Sequence, residues 1–335
     1  MKILTAVVLI FFAFVSVRAQ VSAPLSAALQ EANKLNVEMI NLFKAKKYDE
    51  ALPLAKKILE IREKELGKAH LPVAQAWRNL AFIEQRRGKS GEAEDAFKNA
   101  LEIYEKIQPL SIADEKILAE LLEVVATYQG NEGDFDKAQG KIERALQLSE
   151  KTNGKDSLET GRILLKLAQI YEFKFQYEKA APLLLRSLAI KINKLGRESD
   201  ETRFVYSNAF CALTKTGQLE EAKNLTQDFD PPLTEFGRKI SKMETIKGGV
   251  VNGKALSLPR PAYPRGAAAK GISGAVQVQV TIEQTGRVIF ACAIKGAKEL
   301  HLASEIAAYN SKFAPTQLEG KPVRVTGVIV YNFVP

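Results

Sequence analysis

An alanine returns on a near-fixed beat through the middle of the chain, and that beat constrains the fold more than any other feature. Ala51, Ala93, Ala138, Ala180 and Ala222 stand 42, 45, 42 and 42 residues apart. Each follows a comparable tripeptide: Tyr48-Asp49-Glu50, Ser90-Gly91-Glu92, Phe135-Asp136-Lys137, Tyr177-Glu178-Lys179 and Leu219-Glu220-Glu221. A period of this length marks a solenoid, in which each unit buries its apolar face only against its neighbours. Ala81, Ala126 and Ala168 lie twelve residues before the later markers, and Trp77, Leu122 and Leu164 four residues earlier again. Tyr206 takes the matching place in the last unit, and Ile58, Ala100, Ala145 and Ser187 lie seven residues after their markers. Each unit is therefore a helix A, a turn and a helix B, with small residues where the two antiparallel helices approach. Glycines agree: Arg87-Gly88-Lys89, Gly130 to Gly133 and Thr216-Gly217-Gln218 all fall between A and B.

This pattern resembles the tetratricopeptide repeat. The stretch from Ala51-Leu52-Pro53-Leu54-Ala55 through Glu60-Ile61-Arg62 to Gly67-Lys68-Ala69-His70 is similar to the longer variety found in kinesin light chains. The resemblance covers about Ala32 to Phe229, or about five helical hairpins, numbered 32–229 as a domain. Met39 and Phe210 break the small-residue rule in the first and last units, as terminal caps of a solenoid do. The resemblance implies a concave groove that binds polypeptides. Arg78, Gln85, Tyr128, Arg162 and Arg203 are the candidate groove contacts on the A helices. Most polar A-helix residues are merely solvated, so fewer than about a third of such a set should touch a partner.

The first nineteen residues read as an export signal. Lys2 precedes fifteen uncharged, mostly apolar residues, Ile3 to Val17, and Val17-Arg18-Ala19 fits a cleavage site before Gln20. A bilayer span needs ~20 residues, so the alternative, an uncleaved inner-membrane anchor facing the periplasm, ranks second. The two cysteines, Cys211 and Cys292, fall in different domains and read as buried free thiols, with a bridge between them as the minor alternative.

Charge is unevenly divided. Of the net +9, seven units fall between Ile246 and Pro335, where eleven Lys and Arg face four Glu and no Asp; Lys2 and Arg18 supply the other two. A basic surface steers anionic partners. Export argues against nucleic acid, which leaves acidic protein segments or an anionic envelope polymer. The competing explanation is that these lysines keep a small sheet soluble and blunt its edges.

After Asp230-Pro231-Pro232 no helix can continue. Residues 230–247 read as a linker with one short helix from Glu235 to Lys242, and 248–335 as a small α+β domain. Val250-Val251, Asn252-Gly253 and Lys254-Ala255-Leu256 predict a tight hairpin. Val276, Val278, Val280 and Ile282 alternate with Gln277, Gln279, Thr281 and Glu283, the signature of a half-buried strand. Val288, Phe290, Cys292 and Ile294 predict a second strand with one shared face. A helix is expected from Glu299 to Phe313, and a last strand from Val323 to Phe333 with Val325, Ile329, Tyr331 and Phe333 on one side. The fold class is thus multidomain: an all-α solenoid followed by a helix packed on an antiparallel sheet.

Pro261-Ala262-Tyr263-Pro264, Gly271-Ile272-Ser273-Gly274, the Val-x-Val-x-Val strand, Gly286-Arg287-Val288, Phe313-Ala314-Pro315 and Gly320-Lys321-Pro322-Val323 resemble the C-terminal domain of TonB energy transducers. That resemblance implies a Gram-negative periplasmic module, active in transport across the outer membrane. It would capture a segment of an outer-membrane transporter as an added strand. Carried over, the recipient edge is Val325, Thr326, Gly327, Val328, Ile329, Val330 and Tyr331. The chain departs from that family by replacing its long proline-rich spacer with the helical solenoid.

No catalytic constellation is expected. His70 and His301 sit in different domains, His301 as a solvated first-turn residue, and they make neither a zinc triad nor a nucleophile–base pair. Gly248 to Lys254 nearly matches a phosphate-binding loop, but Ala255 stands where the magnesium-binding hydroxyl belongs. The expectation is a non-enzymatic, exported periplasmic interaction scaffold with protein or peptide partners, no nucleic acid, no metal and no cofactor. It would touch a membrane only if its first segment stays uncleaved. The alternatives are a membrane-anchored energy transducer and an envelope-polymer binder.

Overall fold

The structure is a computed structural model of the chain and describes residues 25–229, 234–235, 238–239 and 245–334. The export signal read at residues 1–19 lies outside them.

Ten helices run in antiparallel pairs: α1 (Ala27–Lys44) with α2 (Tyr48–Leu66), α3 (Leu71–Arg86) with α4 (Ser90–Lys106), α5 (Ile112–Glu132) with α6 (Phe135–Thr152), α7 (Leu158–Phe173) with α8 (Tyr177–Leu195), and α9 (Asp200–Lys215) with α10 (Leu219–Phe229). Local chemistry sets their ends. The hydroxyls of Ser26, Ser111 and Ser157 accept from the backbone N–H three residues on, and the Asp134 carboxylate does the same. Gly133 ends α5 in the left-handed region at φ 88°. The marker alanines are the packing points: Ala51, Ala93, Ala138 and Ala180 are 0% exposed, as are Ala81 and Ala168 of the A helices. A methyl group there lets two helix backbones approach, and a larger side chain would force them apart.

Two short strands, β1 (Thr234–Glu235) and β2 (Arg238–Lys239), pair antiparallel in the connecting stretch. The helix expected over Glu235–Lys242 is thus extended at its described positions; the rest of it lies outside the described residues.

The C-terminal unit contains β3 (Thr245–Val250), β4 (Ala255–Ser257), α11 (Arg265–Ala269), β5 (Gly274–Ile282), β6 (Val288–Lys295), α12 (His301–Tyr309), β7 (Lys312–Phe313), β8 (Gln317–Leu318), β9 (Lys321–Pro322) and β10 (Arg324–Phe333). The main sheet has the order β3-β10-β5-β6. Strands β10, β5 and β6 are antiparallel, but β3 runs parallel to β10, so the sheet is mixed. The helix α12 covers one face, lying mainly on β6 and β5, and its Ala307 and Ala308 share one core with Val276, Val278, Val280, Ile329 and Tyr331.

Three local expectations change. The Asn252-Gly253 turn exists as a single 3₁₀ turn, Asn252–Lys254, but it joins no hairpin: β3 pairs with β10 and β4 with β7. The expected Glu299–Phe313 helix shortens to α12, because Lys312 and Phe313 are taken into β7. The single inward face expected for the second strand is broken by a bulge. Thr281 opposes Phe290 while Ile282 opposes Val288, so one residue of β6 is skipped and the side-chain parity flips. Val288, Ala291 and Ala293 face the core, whereas Phe290 and Cys292 turn toward the solenoid.

The two units are docked. β6 lies along α9, α12 touches α7, and α11 meets the end of α5, where a Cβ added to Gly133 would stand 3.4 Å from the Cα of Gly266. The solenoid helices in these contacts, α5, α7 and α9, are all A helices.

Candidate partner-binding site

The rim of β10 is the expected recipient edge, and in the structure a segment of the chain itself lies along it. β3 pairs alongside it, with Arg324 opposite Thr245, Val325 opposite Ile246 and Thr326 opposite Lys247; the register then shifts, and Val328 stands opposite Val250. Val251 continues the ladder by donating its N–H to the Val328 carbonyl at 3.0 Å. Asn252 then finishes it with a side chain acting as a peptide group. Its Nδ2 donates to the Val330 carbonyl at 2.6 Å, and its Oδ1 accepts from the Val330 N–H at 2.8 Å. The chain thus satisfies the rim from Arg324 to Val330 in cis, as buried or half-buried backbone groups require.

Packing under this added strand is close. Val251 is 1% exposed. A Cβ built on Gly327 would lie 2.6 Å from Val251 Cγ1, and one on Gly248 would lie 2.8 Å from Val325 Cγ1. Gly248 and Gly327 are therefore glycine because the facing strand fills the space a side chain would need.

The opposite edge is covered by the solenoid. Ser207 on α9 accepts from the Ala291 N–H at 3.0 Å and donates to the Ala291 carbonyl at 3.4 Å. Glu305 on α12 accepts from the Ala293 N–H at 2.8 Å and pairs with Lys215 of α9 at 2.8 Å. Cys211 and Cys292, expected as free thiols, are joined in a disulfide across this contact. Sequence spacing could not reveal the pair, because only the docking of the two units brings together these cysteines, 81 residues apart in the chain. Around the disulfide, Phe210 meets Phe290 edge-on, Phe204 meets Tyr309, and Arg287 pairs with Asp200. Beneath it Glu172 of α7 is 5% exposed, with an unpartnered Oε2. Burial, reinforced by the nearby Glu305 charge and opposed by Lys215, pushes the Glu172 carboxyl up to about 8.

The five groove candidates divide. Arg78 is spent on Glu120 of the next A helix at 2.6 Å and lies over the Phe82 ring. Arg162 forks between Glu123 and Glu159, both at 2.6 Å; burial works against its charge, but these carboxylates outweigh it and raise its pKa. Arg203 pairs with Glu198 and reaches across to Glu283 of the sheet unit, so it belongs to the docking surface. Tyr128 is half-buried against Phe97, and Gln85 is exposed. The structure thus links Arg78 and Arg162 through the acids of α5 and sends Arg203 elsewhere. His301 is half-buried rather than solvated, with Nε2 3.1 Å from the Gly296 carbonyl oxygen.

Sequence reasoning ranked the Cys211 bridge second and missed the contact roles of Ser207, Lys215, Glu305, Val251 and Asn252. A signal existed for Ser207 and Cys211: Ser207-Asn208-Ala209 and Cys211-Ala212 put small residues around most of α9, and a helix small on both sides has a neighbour on both sides.

Two family models match the chain. The one described as Tetratricopeptide repeat matches residues 40–106 and 118–193, and the one described as Gram-negative bacterial TonB protein C-terminal matches residues 259–335. The chain carries tetratricopeptide repeats followed by a TonB-type C-terminal domain. Neither is a catalytic family, and both are associated in general with protein–protein interaction. Protein KINESIN LIGHT CHAIN-RELATED 1 of Arabidopsis thaliana is 25% identical over 199 residues, 59% of this chain and 32% of that one. Mouse protein-lysine N-methyltransferase SMYD4 is 26% identical over 131 residues, 39% of this chain and 16% of that one. The chain therefore spans a third or less of the curated relatives it matches. Among solved structures, the TPR-like repeats of a Podosopora anserina kinesin light chain cover 61% of this chain and 95% of theirs at 18% identity and TM-score 0.48. BtubC from P. vanneervenii covers 65% of this chain and 88% of its own at 18% identity and TM-score 0.47. No helix among the described residues is long and apolar enough to cross a membrane.

The TonB-type match begins at residue 259, after β3 has ended. Within the matched segment β10 would be an edge strand. The cis occupant of its rim comes from the connection between the two modules.

Proposed function

We propose that this chain is an exported, periplasmic, non-enzymatic interaction protein whose TonB-type sheet takes up a partner segment as a strand on β10. The partner strand replaces β3 along Val325, Thr326, Gly327, Val328, Ile329, Val330 and Tyr331. The observation that carries the reading is the nature of the present occupant. It is six residues long, pairs in parallel, contains a register shift and two adjacent glycines, and lies outside the TonB-type match. Parallel pairing is the weaker kind, and glycine in a strand weakens it further. A short, irregular strand on a long, regular rim suits exchange. The solenoid supplies a second surface on the A helices of its first units, around Arg78 and Gln85, since those of the last units hold the sheet domain.

The apolar run from Ile3 to Val17 supports a second reading, a membrane-anchored transducer. The N-terminus of the mature protein separates the two: a chain beginning at Gln20 removes the anchor. Strand capture is tested by placing a photo-crosslinking amino acid at Val328, on the sheet's outer face, in the full chain expressed in a Gram-negative host. Cross-links clustered in one extended segment of an envelope protein are expected, and they should vanish with Val330→Pro, which removes a rim donor. Cross-links confined to the chain's own residues 245–252 would overturn the proposal.

A further inference from the structure

The cis occupant shows which ligand the β10 rim selects, an inference that rests on the strand-capture reading above. Three features of the seat discriminate between sequences. At its start, the Val325 side chain leaves no room for a Cβ on Gly248, which would also stand 3.2 Å from Val251 Cγ1 and 3.5 Å from the Thr326 carbonyl oxygen. In its middle, Gly327 leaves a dimple that Val251 fills, with Cγ1 and Cγ2 at 2.6 and 3.4 Å from where a Cβ would be. At its end, the Val330 N–H and carbonyl meet both halves of the Asn252 amide. Each feature rejects a different error. A large first residue collides, a small or charged fourth residue leaves the dimple empty or buries a charge, and a fifth residue without an amide leaves two rim groups unpaired.

We infer that the rim of Val325–Val330 is a sequence-selective seat for an extended polypeptide of the pattern small-x-x-Val-Asn, lying parallel to β10. Residues 248–252, Gly-Gly-Val-Val-Asn, are a built-in copy of that ligand. The partner is a protein segment in trans that carries the same key. Tethered by a short connection, the copy competes at an effective concentration in the millimolar range, so trans binding is weak until the copy is unseated. Specificity then comes from backbone addition combined with three tests: room at the first position, fit of the fourth side chain and amide pairing at the fifth.

The test uses the full chain and a fluorescent synthetic peptide of residues 244–254, read by anisotropy. Gly248→Leu in the chain should unseat the copy without touching the segment that matches the TonB-type domain. The peptide should bind this variant at least tenfold more tightly than the wild-type chain. Peptides carrying Gly248→Leu or Val251→Asp should bind the variant at least tenfold more weakly than the native peptide. If the Gly248→Leu chain loses its circular dichroism, Asn252→Ala, which removes only the amide pair on Val330, replaces it in the same comparison. Equal binding of all three peptides would overturn the selective key and leave strand capture standing. Binding of none of them to either chain would overturn both. A wild-type chain that is a stable dimer by light scattering, made monomeric by Gly248→Leu, would replace the trans partner with a second copy exchanging this strand.

Discussion

Cys211 of α9 and Cys292 of β6 form a covalent tie between the solenoid and the sheet, their Cα atoms 5.5 Å apart across 81 residues of sequence. The disulfide stands beside the Ser207 bond to Ala291 and the Lys215–Glu305 pair, so docking is held by covalent, hydrogen-bonded and ionic contacts together. Losing a native disulfide typically costs about 2–5 kcal/mol. Cys211→Ser with Cys292→Ser, or treatment with a phosphine reductant, should therefore split one thermal transition into two, with the sheet domain melting first. Calorimetric traces that superimpose with and without the disulfide would show that it does not hold the docking.

The buried Glu172 makes that interface sensitive to pH in a definite direction. Unfolded, the carboxyl titrates near 4.5; folded, it is pushed up to about 8. Between those values the folded chain keeps a proton that the unfolded chain releases, so raising the pH favours unfolding, by at most ~1.4 kcal/mol per unit. This contribution is complete below about 4.5 and is lost as pH rises through about 8. Denaturant midpoints at pH 5, 7 and 9 should fall across the series, and Glu172→Gln should flatten the fall. Parallel curves for the two proteins would remove Glu172 from the account.

Close helix approach predicts an asymmetry between buried and exposed positions of one solenoid. Ala138→Leu, at a site 0% exposed, should cost ~1–3 kcal/mol by overpacking. Gln85→Leu, exposed on α3, should stay within about 0.5 kcal/mol of wild type. Thermal melts followed at 222 nm compare them. A tolerated Ala138→Leu would mean that the marker alanines do not set the helix spacing.

Arg78 and Glu120 illustrate a modest contribution. The pair is at 2.6 Å, but its side chains are 26% and 37% exposed, so Arg78→Ala should destabilise by less than about 1 kcal/mol. A larger loss would mean that Arg78 supports the solenoid through more than this ion pair.

What the sequence made legible was whatever repeats or alternates. The alanine beat marks all five hairpins because each buries the same face, and Val276, Val278, Val280 and Ile282 are buried just as their alternation requires. What it hid depends on contacts between segments distant in sequence. Asn252-Gly253 is a true turn signal, yet nothing local says that Val250 joins β10 while Ala255 joins β7. Cys292 reads as a core residue until the bulge near Val288 reverses its face. The rim of Val325–Tyr331 reads as an edge because β3 is too short and too rich in glycine to announce itself as a strand.

Locking β3 in place separates strand exchange from every other mode of binding. Lys247 and Thr326 stand opposite each other in register, so Lys247→Cys with Thr326→Cys, in a chain lacking Cys211 and Cys292, can tie β3 to β10 by a removable bridge. Capture of envelope proteins by this chain is then measured before and after reduction. Strand exchange requires no capture while the bridge is closed and recovery once it opens; equal capture in both states would rule it out at this rim.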